Sequence, residues 1–574
     1  MDKEGVSRRS FLTGAAALAA AAGVVSVAGL SACTPSDSGS TGSTGSTGTS
    51  SSSTGGTIYT TYANPDEICT VHDTTDTETV DVVVIGTGVT GMSCGMLVAE
   101  QAPSAKVLLI DKMPSSGGNT NFAEINEGGV GMSWDDALAA AMKQVDSQMC
   151  LTDPYIFAHY YADNGKISAW YFDKRGVQHA DDHFYYKGHT GSLAIKHLVN
   201  QLSTDTTYAN VELRLNTQAI ALLTSDDHTV TGVQIKDTGS GNYTNVTAKA
   251  VMVATGGMGT NAELLAFYTG QDVAKCTQYG QGQDGDGQLL VESTAHGKSK
   301  NVDPTPMWAV VKDMALESAL SCCCAMQNAG VFVNQTGTRF HNENYTGGFP
   351  TVDHSFMQQG KVFSIVDQGL FDYFQKNGSD AASFYYYQVP TDLTDELSTI
   401  DSNASIFKAD TFEELAGMIG VPSDAFVAEM NTYTADAKAG TGDSKLGKDA
   451  KYMIPFGDGP YYGCELSTIL MQTNNGIRIN TECQVVDQAY VPIAGLYAGG
   501  IAVSGFNTCM YAMGTSQHVG LWSGCTAALN IVANELGGTV ADDWFGSSEY
   551  TGPLPDFSNL EETKPLPSTT DESY

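Results

Sequence analysis

Apolar residues form two short continuous runs near the start of the folded part of the chain. Val82–Ile85 reads Val-Val-Val-Ile, and Val107–Ile110 reads Val-Leu-Leu-Ile. A continuous apolar run of this length is typical of a strand that is buried on both faces of a parallel sheet. Between the two runs, a glycine-rich turn is followed by a helical stretch that continues through Ala99. The pattern therefore predicts a strand, a helix and a parallel strand in that order.

The turn after the first run reads Gly-Thr-Gly-Val-Thr-Gly, from Gly86 to Gly91. Gly86 allows the tight turn, Gly88 lets the backbone approach a pyrophosphate, and Gly91 lets helix and strand pack closely. The N-terminus of the following helix supplies a positive dipole end for the phosphates. Asp111 ends the second run, where an acid can bind the ribose hydroxyls of an adenosine. Each glycine alone could mark an ordinary turn, but the ordered set predicts a dinucleotide site.

The first 33 residues read as an export signal. Ser7–Leu12 contains a twin arginine before an apolar run, which is the signal for a route that carries folded proteins. The apolar run Gly14–Leu30 is too short and too weakly apolar for a spanning helix, which needs about 20 apolar residues. Leu30–Cys33 reads Leu-Ser-Ala-Cys and resembles a bacterial lipobox, so we expect Cys33 to be lipidated. The alternative is plain cleavage of an ordinary signal peptide after Ser31–Ala32.

Residues 34–57 are almost entirely Ser, Thr and Gly. Such a segment behaves as a flexible coil with a reach of roughly 25–30 Å. Residues 58–557 are long enough for a large core or for two domains. The sequence therefore predicts a tethered globular protein, and a tether of that length suits an enzyme that meets a membrane-bound partner.

Charge and cysteine content exclude several classes of function. The net charge of −36 argues against nucleic acid as a partner, because phosphate binding needs an excess of Lys and Arg, and also against adsorption to anionic lipid. None of the twelve cysteines belongs to a Cys-x-x-Cys-His motif, so no attached c-type haem is predicted. No metal-ligand spacing surrounds Cys322–Cys324, and no metal site is predicted. We interpret these three cysteines as buried small residues, with a cluster or redox site as the alternative.

Further motifs follow the first turn in a fixed order. They are Ser116–Thr120 (Ser-Gly-Gly-Asn-Thr), Ala254–Gly257 (Ala-Thr-Gly-Gly), Asp284–Gly287 (Asp-Gly-Asp-Gly), Asn334–Glu343 (Asn-Gln-Thr-Gly-Thr-Arg-Phe-His-Asn-Glu), Thr411–Ala416, Pro460–Tyr462 and Gly495–Gly500 (Gly-Leu-Tyr-Ala-Gly-Gly). This set resembles the flavoprotein family of fumarate reductases and succinate dehydrogenases. Within it, the soluble branch with urocanate reductase and 3-ketosteroid Δ1-dehydrogenase is the most similar, and the resemblance covers nearly the whole globular part.

The resemblance implies an α/β fold (mixed α+β), with a discontinuous Rossmann-like FAD-binding domain and an inserted substrate-capping domain. The implied segments are the signal and lipobox 1–33, the linker 34–57, the first part of the FAD-binding domain 78–307, the capping domain 308–469, the second FAD-binding part 470–540 and the C-terminal tail 541–574. The substrate is expected to bind between the two domains.

FAD is the implied cofactor. The residues that the resemblance places against it are Gly86, Gly88, Gly91, Asp111, Lys112, Ser116, Gly117, Gly118, Asn119, Thr120, Ala254, Thr255, Gly256, Asp286, Gly500, Ser516 and Gln517. The sequence contains no second Gly-x-Gly-x-x-Gly directly after a continuous apolar run, so no nicotinamide site is predicted. Electrons are therefore expected to reach or leave the flavin through an extracytoplasmic electron-donor protein.

Departures from the family pattern bear on the substrate. The proton-donating arginine of fumarate reductases lies eight residues after the arginine that matches Arg339, and this count reaches Gly347. The family's substrate-binding histidine precedes Thr-Met-Gly-Gly, and the matching stretch here is Met471–Gly476, with Met471 in place of the histidine. The second carboxylate-binding arginine is matched by Tyr511. Because burying a carboxylate without a cation costs several kcal/mol, fumarate is not the expected substrate.

Two tyrosines are the candidate catalytic residues. Tyr511 matches by spacing the tyrosine that hydrogen-bonds the ketone in ketosteroid dehydrogenases, and such a donor can contribute about 3 kcal/mol. The alternative for Tyr511 is a core aromatic with its hydroxyl satisfied. Tyr345 lies two residues before the vacant arginine position and could donate the proton, with His341 and His354 as alternatives.

These features together predict an exported, membrane-tethered FAD enzyme acting on CH–CH bonds. The expected reaction reduces a C=C bond conjugated to a carbonyl or aromatic group, in a small unsaturated molecule that is not a dicarboxylate. The family resemblance places this reaction in anaerobic respiration. A ketosteroid-type dehydrogenase, running the same chemistry backwards, is the first alternative. A solute-binding lipoprotein, which would share the lipobox and the tether, is an alternative of another class.

Overall fold

The structure is a computed structural model. It describes residues 68–123, 126, 131–147, 152–179, 186–187, 190–271, 273, 276–278, 280–315, 318–343, 355–378, 391–506, 515–546 and 550–554. The predicted signal, lipobox and linker lie outside the described residues, as does most of the predicted C-terminal tail.

The described chain contains sixteen strands and twelve α-helices. The strands are β1 Thr77–Thr79, β2 Val82–Ile85, β3 Val107–Ile110, β4 Val211–Arg214, β5 Thr217–Thr224, β6 Val230–Asp237, β7 Tyr243–Thr247, β8 Ala250–Val253, β9 Thr277–Gln278, β10 Ser299–Val311, β11 Phe332–Asn334, β12 Val362–Val366, β13 Ile406–Ala409, β14 Tyr461–Ile477, β15 Gln484–Val486 and β16 Pro492–Ala498. The α-helices are α1 Val89–Gln101, α2 Trp134–Ser147, α3 Pro154–Ser168, α4 Gly191–Thr204, α5 Ala262–Thr269, α6 Asp286–Thr294, α7 Ala319–Ala325, α8 Gln368–Asn377, α9 Thr394–Ser398, α10 Phe412–Ile419, α11 Ser423–Ala439 and α12 Thr515–Asn530.

A six-stranded sheet is built in the order β15-β16-β8-β2-β3-β4. All neighbouring strands in it are parallel except β15 and β16. The two apolar runs of the sequence form β2 and β3, and every side chain in both strands is buried. This confirms the predicted strand, helix and parallel strand, because a central parallel strand has no polar face.

The chain returns to this sheet near its C-terminal end. Helix α12 packs against α1, and the contact needs glycine on α12, because a Cβ atom at Gly524 would lie 2.2 Å from Ser93 Oγ. Gly520 makes a similar approach, with a Cβ atom 2.8 Å from Thr90 Oγ1. Segments from both ends of the folded chain therefore build one layer, which confirms the predicted discontinuous FAD-binding fold.

A second six-stranded sheet contains β10, β14, β12 and β11 in that order, with β13 and β9 also paired to β14. One face covers a hydrophobic cluster that includes Cys322–Cys324, whose side chains are fully buried, as the sequence predicted. Strands β10 and β14 run through the expected domain boundaries at 307/308 and 469/470. A four-stranded sheet, β1-β7-β6-β5, completes the strand layers.

The described residues belong to one compact unit, 58–574. In the described part of the chain, no helix combines the length and the apolar character needed to cross a bilayer.

Candidate active site

A cavity lies at the carboxyl ends of β2, β3, β8 and β16 and contains about 930 Å³ of space free of protein atoms, part of it open to solvent. Strand order places the end of β3 three strands from the end of β16. At about 4.8 Å per strand, the cavity spans about 14 Å across the sheet edge. Most of the predicted cofactor residues line it: Gly86, Gly88, Asp111, Lys112, Gly117, Gly118, Asn119, Thr120, Ala254, Thr255, Gly256, Asp286, Gly500, Ser516 and Gln517. Gly91 and Ser116 do not line the cavity.

The three fingerprint glycines have different surroundings. A Cβ atom at Gly91 would lie 1.9 Å from the carbonyl oxygen of Gly86, so Gly91 is required for packing of α1 against β2. Gly86 has a φ of +103°, and its Cβ atom would lie 2.3 Å from the carbonyl oxygen of Ala254. At Gly88 the nearest protein atom would be 3.4 Å away, an ordinary contact. Protein packing therefore does not require a glycine at 88, and the position is left open toward the cavity.

The N-terminus of α1 faces this open position. Gly88 is its N-cap residue and offers no side chain to cap the helix. Val89 N–H donates to Thr120 Oγ1 at 3.1 Å, which fixes the Ser116–Thr120 loop against the helix start. A helix N-terminus whose N-cap residue is a glycine is a favourable site for an anionic phosphate.

Asp111 uses both carboxylate oxygens within the protein. Its Oδ2 accepts from the backbone N–H of Thr87 at 3.0 Å and from Thr87 Oγ1 at 2.6 Å. Its Oδ1 accepts from the Met113 N–H at 3.0 Å. A carboxylate offers about four lone-pair sites, so one remains for a ligand. Asp111 therefore holds the glycine turn in place in addition to lining the cavity where a ribose is expected.

Lys112 and Asp286, both predicted to bind the cofactor, bind each other. Lys112 Nζ lies 2.8 Å from Asp286 Oδ2 and 2.6 Å from Asp284 Oδ2. Burial disfavours the ammonium form, but the two carboxylates outweigh it and raise the pKa of Lys112. Gln218 Nε2 also donates to Asp286 Oδ2, at 3.2 Å. The only cationic side chain among the described lining residues is therefore already neutralised by two acids.

Asn119 connects the cavity to the second six-stranded sheet. Its Nδ2 donates to the carbonyl oxygen of Met471 at 2.9 Å, and Gln283 Nε2 donates to the same oxygen at 2.7 Å. The side chain of Met471 packs against the hydrophobic cluster, whereas that of Gln472 lines the cavity. Successive side chains of a strand point to opposite faces. The residue of this stretch that lines the cavity is therefore Gln472 and not Met471.

Residues 81–516 match the FAD binding domain family. The chain belongs to this family. FAD is its cofactor, and the chain is an FAD-dependent oxidoreductase acting on CH–CH bonds, as predicted from the sequence. The chain is 27% identical over 460 residues to a vinyl phenol reductase of Lactiplantibacillus plantarum, an alignment that covers 75% of this chain and 91% of the relative.

Solved structures of flavoproteins have the same fold. A flavocytochrome c3 fumarate reductase in an open conformation superimposes with a TM-score of 0.58 and 23% identity, covering 79% of both chains. A 3-ketosteroid-Δ4-(5α)-dehydrogenase from Rhodococcus jostii superimposes with a TM-score of 0.56 and 20% identity, covering 79% of this chain and 96% of the other. At these identities the similarity confirms the α/β fold and carries no further conclusion.

The residues of this flavoprotein that line the cavity fit a polar, elongated group such as FAD. Several of them have a buried polar atom with no hydrogen-bond partner among the described residues: Thr255 Oγ1, Gln283 Oε1, Gln472 Nε2 and Gln517 Oε1. Leaving such an atom unsatisfied costs about 1–3 kcal/mol, so each is suited to a bound molecule. Asp111, Gly88 and the start of α1 would hold the adenosine and phosphate part.

A buried polar chain that sequence reasoning missed supports the start of α12. His518 Nδ1 lies 2.9 Å from Asn126 Oδ1, and Asn126 Nδ2 donates to Tyr186 OH at 2.9 Å. Tyr186 OH lies 3.2 Å from Tyr171 OH. Burial lowers the pKa of His518 to about 3, so the ring is neutral at pH 7. The chain fixes the first turn of α12, which carries the lining residues Ser516 and Gln517.

The Asn334–Glu343 motif contributes a buried ion cluster, which we define as Arg339, Glu343, Asp443 and Lys448. Arg339 lies 2.5 Å from Glu343 and 3.0 Å from Asp443, and Lys448 lies 3.7 Å from Glu343. All four side chains are at most 1% exposed. The two cations and two anions balance, so this part of the family signature has a structural role.

The candidate catalytic residues Tyr511 and Tyr345 lie outside the described residues, together with Gly347 and His354. His341 is described and half-buried, and burial lowers its pKa. The roles of Tyr511 as substrate contact and of Tyr345 as proton donor stay predictions from the sequence. Within the described residues, no group of three or more His, Cys, Asp and Glu side chains could hold a metal ion.

Proposed function

We propose that this chain is an exported FAD-dependent reductase of a C=C bond conjugated to a carbonyl or aromatic group. The similarity to a vinyl phenol reductase supports this proposal, because that alignment covers 91% of the relative. Vinyl phenols carry a C=C bond attached to an aromatic ring and have no carboxylate. A substrate of this kind also fits the departures from the fumarate reductase pattern.

The observation that carries the proposal is the loss of the charged substrate anchors of the fumarate reductase pattern. Gly347, Met471 and Tyr511 stand at the three positions where that pattern has two arginines and a histidine. A dicarboxylate bound there would lack these partners, and burying a carboxylate without a cation costs several kcal/mol.

Bound FAD in its reduced state supplies the hydride for such a reduction. The chain must then bind the unsaturated molecule, donate to the oxygen on which negative charge develops, and supply a proton to the second carbon. We propose Tyr511 for the donor and Tyr345 for the proton source, with His341 and His354 as alternative proton sources. A single preorganised donor of this kind is worth about 3 kcal/mol in the transition state.

The test is an anaerobic assay with dithionite-reduced methyl viologen as electron donor. We expect viologen oxidation with 4-vinylphenol, enones or cinnamates, and none with fumarate. Tyr511→Phe, which removes one hydroxyl and little volume, is expected to lower turnover about 100-fold while FAD stays bound. Rapid reduction of fumarate, or unchanged turnover in Tyr511→Phe, would contradict the proposed site.

The second candidate function is a ketosteroid-type dehydrogenase that introduces a C=C bond beside a ketone. It is favoured by the spacing of Tyr511 and is compatible with the fold shared with the Rhodococcus jostii enzyme. The same preparation separates the two candidates. A dehydrogenase would oxidise a saturated ketosteroid only with an artificial electron acceptor and would leave reduced viologen unconsumed.

Export and lipid anchoring are a separate part of the proposal. They are supported by the twin arginine Arg8-Arg9 and the lipobox cysteine Cys33. Replacing both arginines by lysine is expected to leave the precursor in the cytoplasm. Cys33→Ala is expected to release the mature protein from the membrane without changing its turnover. Retention of Cys33→Ala on salt-washed membranes would overturn the lipid anchor.

A further inference from the structure

Two glutamines line the cavity from elements that pack against the Gly500–Ala502 segment, which follows β16. Gln472 lies on β14, and Gln517 lies in the first turn of α12. Both line the cavity together with Gly500, which follows β16. Asp111 follows β3, three strands away in the six-stranded sheet. Since the acid at β3 is where the adenosine ribose is expected, these glutamines lie where the other end of the dinucleotide must be.

Ser516 links the Gln472 amide to the first turn of α12, where Gln517 lies. Ser516 Oγ donates to Gln472 Oε1 at 3.1 Å, which fixes the oxygen side of that amide. Its Nε2, the other end of the amide, has no acceptor among the described residues, although the residue is only 5% exposed. Gln517 follows Ser516 directly, and its buried Oε1 has no donor within the described part of the chain. One unsatisfied donor and one unsatisfied acceptor therefore belong to residues that line the same cavity.

A donor and an acceptor on one cavity wall suit a ligand edge on which an acceptor neighbours an N–H group. The isoalloxazine ring of FAD has such an edge, because its ring nitrogen N3 carries a hydrogen and lies between two carbonyl groups. Adenine also has an acceptor next to an N–H donor, but the adenosine is expected at the Asp111 end of the cavity. Each unsatisfied buried group costs about 1–3 kcal/mol until it is paired. A ligand edge that pairs both groups is therefore bound more favourably than one that does not.

We propose that Gln472 and Gln517 recognise this carbonyl and N–H edge of the flavin, with Gln472 Nε2 donating to a ring carbonyl and Gln517 Oε1 accepting from N3–H. Ser516 acts as the positioning residue for the Gln472 amide. In this arrangement two side chains hydrogen-bond the flavin ring, in addition to the backbone contacts that are expected at the phosphates.

The experiment compares FAD with 3-methyl-FAD, in which a methyl group replaces the hydrogen on N3. Apo-protein is titrated with each flavin, and binding is followed by quenching of flavin fluorescence, so no substrate is needed. The unmodified protein is expected to bind FAD at least about fivefold more tightly than 3-methyl-FAD, since the methyl group leaves Gln517 Oε1 unpaired. Equal affinity for the two flavins would overturn the proposal.

Single-residue variants test the roles of the two glutamines separately. Gln517→Leu is expected to weaken FAD binding and to remove the preference over 3-methyl-FAD, whereas Gln517→Glu keeps an acceptor and is expected to keep the preference. Gln472→Leu is expected to weaken binding of both flavins about equally, because it loses the carbonyl donor. If both leucine variants bind FAD like the unmodified protein and only the KM for 4-vinylphenol rises, the amides face the substrate and the proposal is wrong.

Gln234 provides a matched control in another sheet. It is a fully buried glutamine on β6, and its Nε2 donates to the carbonyl oxygen of His72 and to Asn245 Oδ1, both at 2.8 Å. Gln234→Leu is expected to lower thermal stability and to leave the preference for FAD over 3-methyl-FAD unchanged. Because the deciding comparison, FAD against 3-methyl-FAD, is a flavin affinity, its result is independent of whether the enzyme reduces a C=C bond.

Discussion

The cofactor cavity and the buried ion cluster are both polar interiors, but they differ in how their polar atoms are paired. In the ion cluster, Arg339 and Glu343 are fully buried and each charge has an opposite charge within 4 Å. In the cavity, Thr255, Gln472 and Gln517 keep buried atoms without a partner among the described residues. A buried polar group without a partner is costly, so its persistence indicates that a ligand completes it.

Two groups of residues from the same family signature therefore have different roles: one binds the cofactor, and the other stabilises the fold. The glycine turn and the lining amides are arranged for a molecule that the chain must acquire. The ion cluster is complete in the protein alone, and it joins the Asn334–Glu343 motif to the segment after α11. Substitutions in the first region are therefore expected to change cofactor affinity, and substitutions in the second are expected to change folding free energy.

The largest expected effect is at Gly88. Gly88→Glu places bulk and negative charge at the open position before α1, where the phosphates are expected, and should abolish FAD binding. The measurement is flavin content after purification, together with fluorescence titration of the apo-protein. Gly417→Glu is the control, because Gly417 is exposed on α10 with no atom within 4 Å of an added Cβ. Flavin retained in Gly88→Glu would mean that the dinucleotide binds elsewhere.

The next effect concerns the ion cluster. Arg339→Met leaves Glu343 and Asp443 facing Lys448 alone, and an uncompensated buried charge typically costs about 3–5 kcal/mol. Urea unfolding should show this loss of stability, while the visible spectrum of bound FAD stays unchanged in the folded variant. The exposed pair of Lys408 and Asp401, 3.3 Å apart, is the control, and Lys408→Met should cost less than about 1 kcal/mol. A similar small cost for Arg339→Met would show that the cluster is not a stabilising unit.

Lys448 gives the ion cluster a pH dependence. Burial lowers the pKa of Lys448 from 10.5 to about 8, against the opposing effect of Glu343. Between these pH values the unfolded chain binds more protons at this site than the folded chain does, so this group makes stability rise with pH. The rise amounts to about 3 kcal/mol between pH 8 and pH 10.5.

The test compares the unmodified protein with Lys448→Met at each pH by urea unfolding. The groups that face Lys448 are Glu343, Arg339, Asp443 and the ring of Tyr433, whose centroid lies 5.4 Å from Nζ. Burial raises the pKa of Tyr433, so its hydroxyl stays neutral over this range. The difference in stability between the two proteins should therefore change by about 3 kcal/mol. A constant difference across the range would show that Lys448 is not a low-pKa lysine.

The sequence predicted the parts of the molecule that depend on local pattern. The two apolar runs, Val82–Ile85 and Val107–Ile110, are buried strands because neither has a polar face. The turn between them is recognisable because its close backbone contacts require glycine. The sequence did not predict that Gln472, and not Met471, lines the cavity. That choice depends on the register of β14 against β10, which contains three shifts, and a shift of one residue exchanges the two faces of a strand. The pairing of Lys112 with Asp284 and Asp286 likewise depends on topology, because the residues are more than 170 positions apart.

The smallest expected effect tests whether Asp111 acts mainly by binding the ribose or mainly by holding the glycine turn in place. Thr87→Val keeps the side-chain shape but removes the hydroxyl that donates to Asp111 Oδ2 at 2.6 Å, while the backbone N–H of Thr87 still donates to the same oxygen. If Asp111 acts mainly by holding the glycine turn, the turn loosens and the Kd for FAD rises, by about three- to tenfold for a hydrogen bond of about 1 kcal/mol. If Asp111 acts mainly by binding the ribose, the freed lone pair leaves FAD affinity unchanged or improves it. Fluorescence titration of the apo-protein distinguishes the two results, and Thr87→Ser, which keeps the hydroxyl, should bind FAD like the unmodified protein in both cases.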